Sequence, residues 1–227
     1  MSGLSLVTWS STAVVFVFVV GVAVGAVLRA WLRPGAYRLP TERDLPARRT
    51  WWIIPATGAV GALLWAAVSP HQPVLISAVF VIAGWVMIVL GFIDLDVHRL
   101  PDAIQLPSYP ILLLLLAVGA TTGGNWGAFT RAIVAAVVLF IFYFVLLLLP
   151  SGYGFGDVKL AGLLGMLLGW LGWSPVIHAA FAAFLIGGLV AAALMLTRQK
   201  DRRAEFAYGP SMLAGAVLAI AWSALSS

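Results

Sequence analysis

Eight residues of the chain are acidic, and four of them fall in two short stretches. The first reads Gly91-Phe92-Ile93-Asp94-Leu95-Asp96-Val97-His98-Arg99-Leu100-Pro101-Asp102. The second reads Gly152-Tyr153-Gly154-Phe155-Gly156-Asp157-Val158-Lys159-Leu160. Asp94 closes a long apolar run and Asp157 opens another. Carboxylates at or within hydrocarbon are costly and point to function by default. Two carboxyl groups that share a site do not easily ionise together, so one keeps a proton while the other stays charged. The charged member can take a proton from water. The neutral member can donate to a peptide carbonyl oxygen while the water attacks the carbonyl carbon. That chemistry needs neither a metal nor a covalent intermediate, and its protons belong to the pair rather than to either residue.

Three of the four acids also have a plain structural reading. Asp157 stands just before an apolar helix, where an aspartate commonly caps the first-turn amides. Asp96 and Asp102 read as solvent-facing loop charges. Capping leaves the glycines unexplained. Gly154 and Gly156 bring backbone close to the Asp157 carboxylate, and glycine accepts backbone angles that other residues resist. An extended substrate strand could lie across such a stretch without meeting a side chain.

The rest of the chain must bring these acids together. Of its 227 residues 63% are hydrophobic and 9% charged, against about 25% charged in soluble domains. A soluble chain of this length could not hide so much apolar surface in one core. The expected class is all-α: a polytopic transmembrane bundle of about eight helices forming a single domain over residues 1–227. Hydropathy places spans at 10–31, 51–69, 73–92, 104–120, 129–149, 158–172, 175–196 and 208–225, near the length that crosses a bilayer except for 158–172, which is short and the weakest of the eight. The run from Leu160 to Thr197 divides at Gly172-Trp173-Ser174-Pro175, and spans two and three divide at Ser69-Pro70-His71-Gln72-Pro73. Trp51, Trp52 and Trp173 sit where interfacial rings are expected. The first span ends in Arg29 with no basic segment before it, which reads as a retained helix rather than a removed signal.

Charge sets the orientation. With the N-terminus outside, the inner segments hold Arg29, Arg33, Arg38, Arg43, Arg48, Arg49, Arg99, Lys159, Arg198, Lys200, Arg202 and Arg203, and the outer ones only Arg131. This is the positive-inside pattern. It places Asp94 and Asp157 at one cytosolic depth, although they lie far apart in sequence. It also explains the net charge of +5 by topology, so no nucleic-acid partner is inferred. The basic segment 32–50 suits an anionic leaflet. Gly162, Gly165, Gly169 and Gly172 line one helical face, as do Gly21 and Gly25, and both stripes read as close helix packing. Cysteine is absent, which excludes disulfides and thiolate chemistry. His71, His98 and His178 are scattered and read as loop or helix-end residues. No metal or cofactor is called for.

The two acidic stretches resemble those of the type IV prepilin peptidases, the leader peptidases of the GxGD aspartic class. Gly154-Phe155-Gly156-Asp157-Val158-Lys159-Leu160 resembles the family's glycine–aspartate–x–lysine signature. Ile93-Asp94, followed by Leu100-Pro101-Asp102 and Leu106-Pro107, resembles its other aspartate motif, with the acid seven residues before a proline. Gly21-Val22-Ala23-Val24-Gly25-Ala26-Val27-Leu28-Arg29 is similar to the family's first-helix pattern, and Tyr208-Gly209-Pro210 after Glu205-Phe206-Ala207 to its last cytosolic motif. The resemblance implies that Asp94 and Asp157 are the catalytic aspartates, with Gly154, Gly156, Lys159, Pro101 and Asp102 in support. It implies an aspartic endopeptidase of the inner (cytoplasmic) membrane. Such an enzyme removes the short basic leader of prepilins or pseudopilins at the cytosolic face, just before their hydrophobic helix. Partners would be that substrate, the lipid bilayer and, in some settings, a second copy of the chain.

Many members carry a long loop after the first helix with paired cysteines, and also methylate the new N-terminus. Segment 32–50 has no cysteine, so cleavage without methylation is expected. Two other readings compete: a small proton-coupled transporter, in which paired acids relay protons, and a pilus-assembly subunit in which both aspartates only cap helices. The transporter reading expects acids at the membrane midplane and an internal repeat. Here the acids sit at one face and no repeat is evident.

Overall fold

The computed structural model describes residues 3–149, 154–196 and 207–226, with side chains outside 3–10 and 195. Glu205, Phe206, Gly152, Tyr153 and the basic cluster at 198–203 fall outside the described residues. Eight α-helices are present among those described: α1 Gly3–Leu32, α2 Ile53–Val68, α3 Val74–Val97, α4 Asp102–Gly123, α5 Trp126–Leu148, α6 Phe155–Leu171, α7 Trp173–Leu196 and α8 Gly209–Leu225. The expected all-α architecture of eight helices is therefore present. α1, α3, α4, α5 and α7 are long and apolar enough to cross a membrane, and α2 and α8 are shorter apolar helices. The chain is a multi-pass membrane protein.

Every expected span coincides with a helix, and the differences lie at the ends. α3 runs to Val97 rather than stopping near residue 92, because nothing in Phe92-Ile93-Asp94-Leu95-Asp96-Val97 breaks a helix. His98 ends it in the left-handed region at φ 52°, with its N–H on the Asp94 carbonyl oxygen at 2.9 Å. Pro101 then excludes helical continuation, and α4 restarts at Asp102. The segment expected as a loop over 93–103 is thus only a short turn.

The chain divides within α3 into two compact units, Met1–Val89 and Leu90–Ser227. In the first, α1 and α2 pack through glycine. A Cβ on Gly21 would stand 2.8 Å from Gly58 Cα, and one on Gly25 2.9 Å from Ile54 Cα. The Trp85 indole N–H donates to the Thr57 carbonyl oxygen at 3.1 Å. In segment 32–50 the Arg38 guanidinium donates to the carbonyls of Leu45 (2.7 Å) and Pro46 (3.2 Å), so this arginine holds the loop's own shape.

The second unit is built around α6. Between Asp157 and Trp170 every residue except Lys159 is buried, as expected of a helix that is apolar all round. α4, α5, α7 and α8 all touch it. The glycine stripe proves to serve two neighbours. Gly162 faces the Tyr109 ring of α4, whereas Gly165 and Gly169 lie against the α5 backbone at Ala135 and Ala132. Gly172 is no part of the stripe. It ends α6 at φ 156°. Arg131 of α5 donates to the carbonyl oxygens of Gly169 (2.7 Å) and Trp170 (2.8 Å), closing the carbonyl end of α6 with a cation.

Candidate active site

Asp94 lies in the last turn of α3 and Asp157 in the first turn of α6. Both belong to the second unit, and both are less than a tenth exposed, at 5% and 8%. Each carboxylate is held through Oδ2 by a glycine N–H. Gly154 donates to Asp157 at 3.0 Å, and Gly209, at the start of α8, donates to Asp94 at 3.1 Å. A buried carboxylate needs such donors, since an unpaired one would be strongly disfavoured.

The local fold around Asp157 differs from the expectation in two ways. Gly154 occupies the cap position, and Asp157 is the third residue of the helix, reaching back to the Gly154 amide. Asp157 is therefore not the N-cap. Nor do the glycines serve unusual backbone angles. Gly154 has φ −94° and ψ 158°, open to any residue, and a Cβ there would meet Asp157 Oδ2 at an ordinary 3.7 Å. Gly156 is needed for space, because a Cβ would stand 3.0 Å from Leu100 Cβ. Leu100 and Pro101 are both buried, so the proline motif after Asp94 forms the wall against which the Asp157 turn rests.

Asp102 and Lys159 form an ion pair, with the Lys159 ammonium 4.9 Å from the Phe155 ring centroid. Asp102 is exposed, as expected. Asp96 is not: as the penultimate residue of α3 it is 6% exposed, because α3 continues through the segment expected as loop.

Three contributors escaped the sequence reading in these roles. Gly209 was noticed only as part of a motif. Gln105 of α4 donates through Nε2 to the Gly156 carbonyl oxygen at 3.0 Å, and the Tyr109 hydroxyl donates to the Lys159 carbonyl oxygen at 2.6 Å. The available signal was a polar residue at each of positions 102, 105 and 109, which share one helical face of a mostly apolar span. Among the described residues no group of three or more metal-ligating side chains converges.

The stretch that holds both aspartates is also the stretch that matches known proteins. Residues 81–192 match the model of the type IV leader peptidase family. Through this region the chain is similar to the type IV leader peptidase family. It is similar to the prepilin leader peptidase/N-methyltransferase of Aeromonas hydrophila, 33% identical over 141 residues that cover 61% of this chain and 47% of that protein. The protein of the same description from Pseudomonas putida is 30% identical over 144 residues, with the same coverage. That from Neisseria gonorrhoeae is 33% identical over 132 residues, covering 56% of this chain and 42% of the other. The chain thus spans about half the length of the relatives it matches. No solved structure matches it. The family region takes in Asp94, Pro101, Asp102, Gly154, Gly156, Asp157 and Lys159, whereas Gly209 lies beyond it.

Proposed function

We propose that this protein is an aspartic endopeptidase that removes the basic leader of type IV prepilins or pseudopilins, with Asp94 and Asp157 as its catalytic pair. The observation that carries the reading is the placement of two buried carboxylates, remote in sequence, at the end of α3 and the start of α6 in one compact unit and within the region that matches the family. In the mechanism that this placement supports, the pair holds one proton between them. The ionised member removes a proton from an attacking water. The protonated member donates to the oxygen of the scissile carbonyl. The amide N–H groups of Gly154 and Gly209 fix one oxygen of each carboxylate, so the acids keep their aim while the proton moves. Lys159, Asp102, Pro101, Gly154 and Gly156 support the pair by holding the two chain segments around it.

The basic residues favour an N-terminus outside and an active site at the cytosolic face of the inner membrane. A substrate leader that is itself basic would then be cut on the side where it is made. Segment 32–50 carries no cysteine, which supports cleavage without N-methylation. The test is to incubate the purified protein in lipid with a prepilin and sequence the product by mass spectrometry. Leader removal with an unmethylated new N-terminus is the expected product. An intact prepilin would sink the peptidase reading, and a methyl group dependent on this protein would sink the second part.

A further inference from the structure

α4 carries three polar side chains at positions 102, 105 and 109, spaced by three and then four residues. That spacing sets them in a row along about 10 Å of one helix face. All three hold the same short piece of α6. Asp102 pairs with the Lys159 ammonium, Gln105 binds the Gly156 carbonyl oxygen at 3.0 Å, and Tyr109 binds the Lys159 carbonyl oxygen at 2.6 Å. Asp157 lies between the two bonded carbonyls.

We propose that this row is a clamp that fixes the rotation and depth of the first turn of α6, with Gln105 and Tyr109 as positioning residues for Asp157. The inference rests on the assignment of Asp157 to the catalytic pair. Gln105 makes the stronger case. It is fully buried, and its Oε1 finds no hydrogen-bond partner among the described residues. An orphaned buried acceptor is costly, and an apolar side chain of the same shape would avoid that cost. Packing alone therefore does not account for the amide. Its Nε2 end is what the fold uses, since only that end can donate to a carbonyl. The clamp also spans the softest part of α4. Pro107 and Pro110 lie within the helix and remove two of its backbone donors, so the row ties α4 to α6 where α4 holds itself least well. Tyr109 adds a packing contact through its ring, which fills the space left by Gly162.

The test uses Gln105→Leu and Tyr109→Phe in the full chain in lipid, the second removing a single oxygen. Two quantities are read: prepilin cleavage, and deuterium uptake by peptides covering 154–160 and 209–225. Each variant should lower kcat about fivefold to tenfold, the loss expected for one hydrogen bond. KM should stay within about twofold of wild type, since the bond positions a reacting group rather than binding substrate. Uptake should rise over 154–160 and stay unchanged over 209–225. Unchanged kcat with unchanged uptake would overturn the clamp. So would faster uptake in both peptides, which marks general loosening, or a change in KM alone. A wild-type protein that cuts no prepilin would instead overturn the peptidase reading, and the uptake of 154–160 would still decide whether the clamp exists.

Discussion

Gly209 donates its backbone N–H to Asp94 Oδ2 at 3.1 Å, joining two residues 115 positions apart. The approach is close enough that a Cβ on Gly209 would stand 2.7 Å from that same oxygen. The glycine is required here for space, and Pro210 follows it as the second residue of α8, in the first turn where a missing N–H costs nothing. Gly209→Ala should therefore push the Asp94 carboxylate away and lose a charge-assisted bond of about 1.5–3 kcal/mol. The expected result is at least about a tenfold fall in kcat, with the protein still present in the membrane. Quantified prepilin cleavage at matched protein levels checks it, and undiminished turnover would contradict the role given to this contact.

The two glycines before Asp157 should behave differently. Gly156→Ala presses on Leu100, where a Cβ would be at 3.0 Å, and tilts the turn that carries the acid. Gly154→Ala makes only an ordinary contact, 3.7 Å from Asp157 Oδ2, at a φ any residue adopts. Thermal unfolding in detergent should show Gly156→Ala to be the less stable by about 1–2 kcal/mol. Equal melting temperatures for the two variants would refute the wall formed by Leu100.

The ion pair between Asp102 and Lys159 should matter little for stability. Asp102 is 56% exposed, and exposed pairs contribute about 0–1 kcal/mol. Asp102→Asn is expected to leave the melting temperature close to wild type. A loss as large as that of Gly156→Ala would show that the pair is a main support of the α4–α6 contact.

Close packing of α6 against α5 gives a further contrast. Cβ atoms at Gly165 and Gly169 would stand 2.5 Å from the Ala135 carbonyl oxygen and 2.6 Å from Ala135 Cβ, whereas Gly188 on α7 has nothing within 4 Å. Gly169→Leu should cost well over about 1–3 kcal/mol, the usual range for overpacking, and Gly188→Leu should cost little. Yield and melting temperature in detergent report the difference.

Much of this fold was legible in the sequence because apolar runs of membrane length and their Gly-Pro breaks are strong local signals. The eight helices follow from them directly. Errors arose where local pattern gave way to packing. The short α6 looked like the weakest span, yet it is short and apolar all round because it is the core of its unit. Asp96 looked like a loop charge because hydropathy falls before the helix ends. The aspartates stood out by rarity and depth. Their partners did not, because Gly209, Gln105 and Tyr109 act through contacts far apart in sequence. A glycine's N–H, present in nearly every residue, leaves no compositional trace. The role of Gly156 is not legible locally either: it makes room for Leu100, a requirement set by a residue in another stretch.

In the proposed mechanism the carboxyl groups of Asp94 and Asp157 perform the cleavage together. Single-turnover cleavage of a prepilin by wild type, Asp94→Asn and Asp157→Asn, each purified in lipid, tests it most directly. Each substitution keeps shape and removes the ability to cycle a proton. Both variants should lose cleavage by about a thousandfold or more, within the range known for groups that act as a unit, and remain folded. Product formed by either variant at near the wild-type rate would contradict the paired mechanism.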